Sequence, residues 1–122
     1  MPTTLASNPL ETTWTDVCKL EQIPVAGGIN ALVENTQVAV FRTRENKLFA
    51  VSNFDPFSKA NVMSRGIFGS TKRDGRDVHK IASPILKNTF DLETGQSFDD
   101  PSVFLRVFNV KLEAGRVFVG VL

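Results

Sequence analysis

Apolar side chains recur at every second position in several short segments of this chain, whereas the helical period of 3.6 residues is hard to find. Near the C-terminus, residues 103–108 alternate, and residues 116–122 alternate again with three valines on one side. The intervening Glu113-Ala114-Gly115 supplies a short turn, because glycine tolerates positive φ. This pattern predicts an antiparallel hairpin and a chain built mainly from strands.

Two short apolar runs predict a second hairpin in the first half of the chain. Val38–Phe41 and Leu48–Val51 are interpreted as its strands, with residues 44–46 as the turn. Further strands are predicted at residues 14–18, 30–33, 78–82 and 89–92. About eight short strands with close turn signals are typical of an all-β sandwich or barrel. Residues 24–28 and 52–76 are rich in turn-forming residues and are interpreted as loops, the second with one helical turn near residues 60–63.

Length and charge set limits on the organisation of the chain. The 122 residues fit one domain, which we expect at residues 13–122 after a flexible N-terminal tail at residues 1–12. Fourteen basic and thirteen acidic residues leave a net charge of +1, so no overall field recruits nucleic acid or an anionic membrane.

Cysteine content and the N-terminal pattern predict the compartment. A single cysteine cannot form an intrachain disulfide, which excludes a disulfide-stapled secreted scaffold. The first 13 residues lack the basic and apolar regions of a signal peptide. No window approaches the roughly 20 apolar residues that span a bilayer. We therefore expect a cytoplasmic protein without a membrane segment.

Two motifs resemble those of Rieske ferredoxins, in which a Cys-x-His box is followed by a Cys-Pro-x-His box and then by Phe-Asp-Leu-x-Thr-Gly. The counterpart of the first box is Asp55-Pro56-Phe57, which precedes Ser64-Arg65-Gly66. The counterpart of the second is Ser83-Pro84-Ile85-Leu86, followed by the sequence Phe-Asp-Leu-Glu-Thr-Gly at residues 90–95. The resemblance implies a Rieske-like antiparallel β-sandwich or barrel, with a small, loop-rich, vestigial cluster-binding subdomain at about residues 52–95.

The resemblance also implies that every cluster ligand is missing. It places the cysteine positions at Asp55 and Ser83 and the histidine positions at Phe57 and Leu86. A Rieske cluster needs two thiolates and two imidazoles. Because the whole chain contains one cysteine and one histidine, no rearrangement could supply that set. We expect no catalytic, cofactor-binding or metal-binding residue in this chain.

The pattern around the lost ligands resembles the small subunit of NAD(P)H-dependent nitrite reductase. The matching segments are residues 14–18, 53–58, 63–67, 90–95 and 99–101. This resemblance implies an accessory subunit with no cluster of its own, needed for the reduction of nitrite to ammonium in assimilation or respiration. It also implies a large-subunit partner that carries the NAD(P)H site, FAD, an iron–sulfur cluster and sirohaem.

Two interpretations are open for Phe57 and Leu86. They either fill the vacant cluster site with hydrocarbon, which we favour, or contact the partner, and both roles are compatible. Asp55-Pro56 is interpreted as an Asp-led turn rather than a ligand. The lone His79 is expected to be structural or exposed, and Cys18 to be a small buried hydrophobe.

Residues 65–80 carry five basic side chains and two acidic ones. They form either a solvent-exposed connection between strands, which we favour, or an electrostatic edge that docks on the partner. As a hypothesis, the partner-binding residues are Phe54, Pro56, Phe57, Arg65, Phe68, Lys72, Arg73 and Arg76.

Three other functions are weighed against the accessory subunit. One is a cofactor-free, Rieske-like interaction module for another redox enzyme. The second is a genuine redox carrier, which a visible charge-transfer band would reveal. The third is a small oligonucleotide-binding barrel, which salt-dependent binding to single strands would reveal.

Overall fold

A computed structural model describes residues 12–121, so the predicted tail at residues 1–12 lies outside the described residues except for Thr12. The described chain is composed of antiparallel strands with two one-turn 3₁₀ helices, Leu20–Gln22 and Met63–Arg65. The strands are β1 (Thr13–Lys19), β2 (Gly27–Val33), β3 (Thr36–Arg42), β4 (Leu48–Ser52), β5 (Phe54–Asp55), β6 (Ala60–Asn61), β7 (Ile67–Arg73), β8 (Arg76–Ala82), β9 (Thr89–Asp91), β10 (Val107–Glu113) and β11 (Arg116–Val121).

The strands form one large sheet and two small ones. The large sheet has six strands in the order β1-β11-β10-β4-β3-β2. β7, β8 and β9 form a three-stranded sheet, and β5 pairs with β6. The predicted all-β class is confirmed, and the small sheets fall within the segment predicted as the vestigial subdomain.

Two hydrophobic clusters share strand β3. Val38 and Val40 belong to a cluster with residues of β1, β4, β10 and β11, whereas Ala39 and Phe41 belong to a cluster that includes Ile81 of β8. Successive side chains of a strand point to opposite faces, so β3 is buried on both. This double burial explains why its sequence is a continuous apolar run rather than an alternation.

Residues 27 and 28 were predicted as loop, and the structure places them in β2. Gly28 lies opposite Phe41 in the β2–β3 ladder, where a Cβ atom would lie 2.5 Å from the phenyl Cδ1. The glycine therefore serves the close approach of a buried ring rather than a turn. The turn-like composition of the segment led to the wrong prediction.

The prediction of loops at residues 52–76 is also wrong, because this segment contains β5, β6 and β7. Strand β7 pairs with β8 over seven consecutive residues, from Ile67 opposite Ala82 to Arg73 opposite Arg76. Most of its side chains are exposed, so no buried alternation marks it in the sequence. The helical turn predicted near residues 60–63 lies slightly later, at Met63–Arg65.

The strand predicted from residue 103 begins at Val107 instead. Residues 103–106 form a connection in which Phe104 makes an isolated bridge with Gln96. The apolar alternation there reflects Leu105, whose side chain is buried in the cluster under β8 and β9.

The helices of residues 12–121 are each a single turn, and none has the length and apolar character of a membrane span.

Candidate functional site

The two residues at the expected cysteine positions meet in a buried hydrogen bond. The Ser83 hydroxyl donates to Oδ2 of Asp55 at a distance of 2.5 Å, and both residues are almost completely buried. Asp55 ends β5, and Ser83 directly follows β8. The bond therefore joins two loops, residues 53–59 and residues 83–88, which we call the loop pair.

The carboxylate of Asp55 has further donors on its own loop. Oδ2 also accepts the Ser58 hydroxyl at 2.7 Å, and Oδ1 accepts the N–H of Phe57 at 2.9 Å. Burial by itself would raise the pKa of Asp55, but these hydrogen bonds stabilise the charged form more, so the pKa is lowered. The bond to the Phe57 N–H confirms the predicted Asp-led turn.

Ser83 organises the second loop in a similar way. Its hydroxyl oxygen accepts the N–H of Ile85 at 3.3 Å, and its carbonyl accepts the N–H of Lys87 at 3.0 Å. Lys87 adopts a positive φ of 63°, which closes the turn. Each loop is thus folded around one side chain at an expected cysteine position, and these two side chains bond to each other.

Asn53 anchors the first loop, a role that the sequence analysis missed. Its side-chain amide donates to Oε1 of Gln37 at 3.0 Å, and its Oδ1 accepts the N–H of Ser64 at 2.7 Å. Its backbone carbonyl accepts the N–H of Met63. Asn53 therefore ties the end of β4 to the returning chain, and its position beside the Asp-led turn was the available signal.

Phe57 and Leu86, at the expected histidine positions, have different environments. The Phe57 ring is half-buried and packs on Phe90, with 5.8 Å between ring centroids. Leu86 is 56% exposed and belongs to neither hydrophobic cluster. The favoured prediction of packing is confirmed for Phe57 and wrong for Leu86, because the second loop turns that side chain into solvent.

Several large apolar side chains are exposed on or beside the loop pair. Ile85 is 50% exposed next to Leu86, and Phe54 is exposed beside Asp55. Ile67 is 65% exposed at the start of β7, opposite Ala82, the last residue before Ser83. Ile67 and Ile85 were not among the predicted partner-binding residues.

The predicted partner-binding residues do not form one cluster. Phe54, Pro56 and Phe57 lie in the loop pair, and Arg65 lies in the 3₁₀ helix that precedes β7. The others lie along the β7–β8 hairpin. The far end of β7 lies six residues beyond Ile67. At the usual rise per residue of a strand this distance is about 20 Å, so the hairpin turn is remote from the loop pair.

Three of the hairpin residues already make contacts within the chain. The Phe68 ring stacks on His79, with centroids 5.9 Å apart. Lys72 forms an exposed ion pair with Asp77 at 3.4 Å, and the Arg73 guanidinium lies 5.1 Å from the Phe98 ring centroid. Arg76 is exposed.

The residues of the loop pair do not fit a [2Fe-2S] cluster. The Asp55 carboxylate is engaged by donors of the chain, Ser83 offers only a hydroxyl, and Phe57 and Leu86 offer no ligand atom. Within residues 12–121, no three His, Cys, Asp or Glu side chains are grouped so that they could hold a metal ion. No redox step can be derived from these side chains.

His79 and Cys18 lie elsewhere. His79 is half-buried between Phe68 and Phe49, and its Nδ1 has no hydrogen-bond partner in the described part of the chain. Cys18 is buried in β1, as predicted. Burial raises the pKa of its thiol; the nearby Arg116 lowers it and Asp16 raises it further, with a net increase.

Comparison with protein families gives one match over almost the whole described chain. The family described as Rieske-like [2Fe-2S] domain matches residues 13–120. A crystal structure from Mycobacterium tuberculosis, assigned to an NADH-dependent nitrite reductase small subunit, is 38% identical with a TM-score of 0.82. That match covers 91% of this chain and 96% of the other.

Two curated relatives show the same similarity in different chain contexts. The nitrite reductase (NADH) small subunit of Escherichia coli K12 is 32% identical over 105 residues, which is 85% of this chain and 94% of the relative. The nitrite reductase [NAD(P)H] large subunit of Klebsiella oxytoca is 36% identical over 107 residues. That match covers 88% of this chain but only 11% of the Klebsiella protein.

Proposed function

Because the chain belongs to the Rieske-like domain family and, within it, to the small subunits of NAD(P)H-dependent nitrite reductase, we propose that it is an accessory subunit that docks on a nitrite-reducing large subunit. The similarity spans 94% of one small subunit and also occurs inside a large-subunit chain. A segment found both as a separate chain and within a larger one is expected to work beside the rest of that larger chain.

In this proposal the redox groups lie on the large subunit. The NAD(P)H site, FAD, an iron–sulfur cluster and sirohaem are assigned there, as the family resemblance implies. The chemistry of the side chains at the expected ligand positions supports this division, since a carboxylate, a hydroxyl and two hydrocarbon groups do not replace two thiolates and two imidazoles. The role of this chain is then docking, assembly or stability of the complex.

The observation that carries the docking role is the loop pair itself. Its backbone is held by the Asp55–Ser83 hydrogen bond, yet Ile85 and Leu86 project into solvent at 50% and 56% exposure. Apolar side chains on a preorganised loop lose little conformational entropy on binding, which favours an interface. Phe54, Pro56 and Phe57 of the first loop are included in this proposed contact.

The predicted electrostatic edge remains part of the proposal. Arg65, Arg73 and Arg76 are exposed and lie on the stretch from the 3₁₀ helix to the β7–β8 turn. We assign the complex to the cytoplasm, in nitrite assimilation or respiration. The support for this assignment is that the relatives' names give NADH or NAD(P)H as the reductant.

The test is reconstitution of the chain with its large subunit. NAD(P)H oxidation by the large subunit is measured with nitrite, with and without this chain. We expect activity to require the chain, and the double variant Ile85→Ser with Leu86→Ser to need a higher chain concentration for half-maximal activity. The control is Leu112→Ser, which changes a leucine that is 45% exposed on β10.

Full activity of the large subunit alone would refute the accessory role. Half-maximal activity at the same chain concentration for the loop variant would remove the loop pair from the interface. A visible charge-transfer band in the isolated chain would contradict the division of cofactors and favour the redox carrier. Stable association with a different redox enzyme, but not with the nitrite reductase large subunit, would favour the general interaction module.

A further inference from the structure

Strand β7 is an outer strand of its sheet, because the order is β7-β8-β9. The hydrogen-bonding direction of each of its residues can be read from the neighbouring ladder. The N–H of Leu92 donates to the carbonyl of His79, so the backbone groups of His79 face β9. Directions alternate along an antiparallel strand, and therefore Lys80 and Val78 face β7.

The pairing register between β8 and β7 then gives the directions of the backbone groups of β7. Lys80 lies opposite Gly69 and Val78 lies opposite Thr71, so these β7 residues direct their backbone groups inward to β8. Phe68, Ser70 and Lys72 then direct their N–H and C=O groups away from the sheet. None of these outward groups makes a hydrogen bond within the described residues.

Few features protect this edge. Bulges, prolines or charged side chains commonly protect a sheet edge against pairing with another strand. The β7–β8 register is unbroken over seven pairs and β7 contains no proline. By contrast, the outer strand β1 is interrupted by a register shift between Asp16 and Cys18. Charged side chains lie only at its turn end, at Lys72 and Arg73, and residues 67–71 carry none. The β7 edge therefore presents an unbroken backbone that can accept another strand.

Charge distinguishes β7 from β2, which together with β1 forms the outer strands of the large sheet. By the same register argument, Asn30 of β2 also directs its backbone groups outward, but residues 27–33 carry no charge. The β7–β8 hairpin, residues 67–82, carries four basic side chains against Asp74 and Asp77, a net charge of +2. Lys72, Arg73 and Arg76 lie at its turn end, and Ile67 is exposed at its other end. A strand added to β7 would be acidic near the turn and apolar near the loop pair.

We propose that the outer edge of β7 binds an extended, acidic segment of the nitrite reductase large subunit by β-strand addition, through the backbone groups of Phe68, Ser70 and Lys72. In this binding mode main-chain hydrogen bonds supply affinity and flanking side chains supply specificity. The inference rests on the proposed function, since it names the way in which the accessory subunit holds its partner. It also gives a role to the predicted electrostatic edge.

The decisive variant is Ser70→Pro. Proline removes only an N–H that points outward, and outer strands tolerate proline at such positions. The preceding residue is Gly69, whose surroundings are open, so the restriction that proline imposes on its predecessor is mild. Ser70→Ala keeps the N–H. Leu32→Pro places the same change on the outer edge of β2, because Leu32 lies two residues after Asn30 and its N–H also points outward. Both serve as matched controls.

Binding of each variant to the large subunit is measured by titration, with the melting temperature as the check on folding. We expect Ser70→Pro to weaken binding about tenfold through the lost hydrogen bond of the Ser70 N–H, and both controls to bind as the unchanged chain does. Equal binding by Ser70→Pro would overturn the inference while leaving the accessory role intact. Absence of binding by the unchanged chain would instead refute the proposed function.

Amide hydrogen exchange tests the same edge without a substitution. In the free chain, the amides of Ser70 and Lys72 should exchange fast, whereas those of Gly69 and Thr71 should be protected by β8. In the complex all of them should be protected. Fast exchange at Ser70 and Lys72 in a saturated complex would overturn the inference, as would a dimer of the isolated chain that Ser70→Pro dissociates.

Discussion

The β3–β4 and β7–β8 hairpins are both regular antiparallel ladders, with five and seven paired positions respectively. They differ in burial. β3 is covered on both faces, whereas most side chains of β7 are exposed and its outer edge is unpaired in the described chain. The first hairpin therefore holds the fold together, and the second is available to a partner. Substitutions in the first should affect unfolding, and those in the second should affect association.

The largest effect is expected from Phe41→Ala in β3. Its ring is almost completely buried, and removal leaves a cavity that the surrounding strands cannot fill, so we expect a loss of about 3–5 kcal/mol in the free energy of unfolding. Urea unfolding measures the change. Phe104→Ala, at a phenylalanine that is 54% exposed, should cost less than about 0.5 kcal/mol. Similar losses for both variants would contradict the central role of β3.

A smaller loss is expected from Asp55→Ala in the loop pair. The substitution leaves the buried Ser83 hydroxyl and the Ser58 hydroxyl without their acceptor, which should cost about 2–3 kcal/mol. Urea unfolding near neutral pH gives the value, and Ser102→Ala, which removes a hydroxyl from an exposed turn, is the control. An unchanged stability would mean that the loops are held together by other contacts.

The lowered pKa of Asp55 predicts how this contribution depends on pH. A carboxyl group whose pKa is lower in the folded state stabilises the fold above its unfolded pKa of about 3.9. That stabilisation is lost as the pH falls through the folded pKa. The difference in stability between the unchanged chain and Asp55→Asn should therefore be constant near neutral pH and shrink below about pH 4. A difference that grows on acidification would show that the pKa is raised.

The contrast between the hairpins also explains what could be predicted from the sequence. Burial imposes a pattern, so the strands containing Phe41 and Val119 were predicted correctly. The exposed edge imposes none, and the composition around Gly69 and Ser70 therefore predicts a loop where the structure has a strand. At the candidate site, motif spacing marked Asp55 and Ser83, but no spacing rule shows that they hydrogen-bond to each other. Likewise, the exposure of Leu86 depends on the fold of its loop.

A test within the second hairpin is Gly75→Ala at its turn. Gly75 has a φ of 78°, a conformation in which a Cβ atom costs about 1–2 kcal/mol. Gly69→Ala is the matched control, since Gly69 does not have a positive φ and its new Cβ atom would lie 3.8 Å from Lys80 Cε, an ordinary van der Waals contact. Thermal or urea unfolding should show a loss of about 1 kcal/mol for the turn variant and almost none for the control. Equal losses would mean that the positive φ of Gly75 is not what makes the turn sensitive.

The smallest effect on stability, with the clearest effect on binding, is expected from Lys72→Ala. Its ion pair with Asp77 is exposed on both sides, so the loss in the free energy of unfolding should be below about 0.5 kcal/mol. If the hairpin attracts an acidic segment, the same substitution should slow association with the large subunit at low salt, and the difference should fade as salt screens the charges. Lys72→Arg keeps the charge and should associate at the original rate. A salt-independent decrease, or a decrease that Lys72→Arg shares, would show that Lys72 contributes by shape rather than charge, and the proposed acidic character of the partner segment would lose its support.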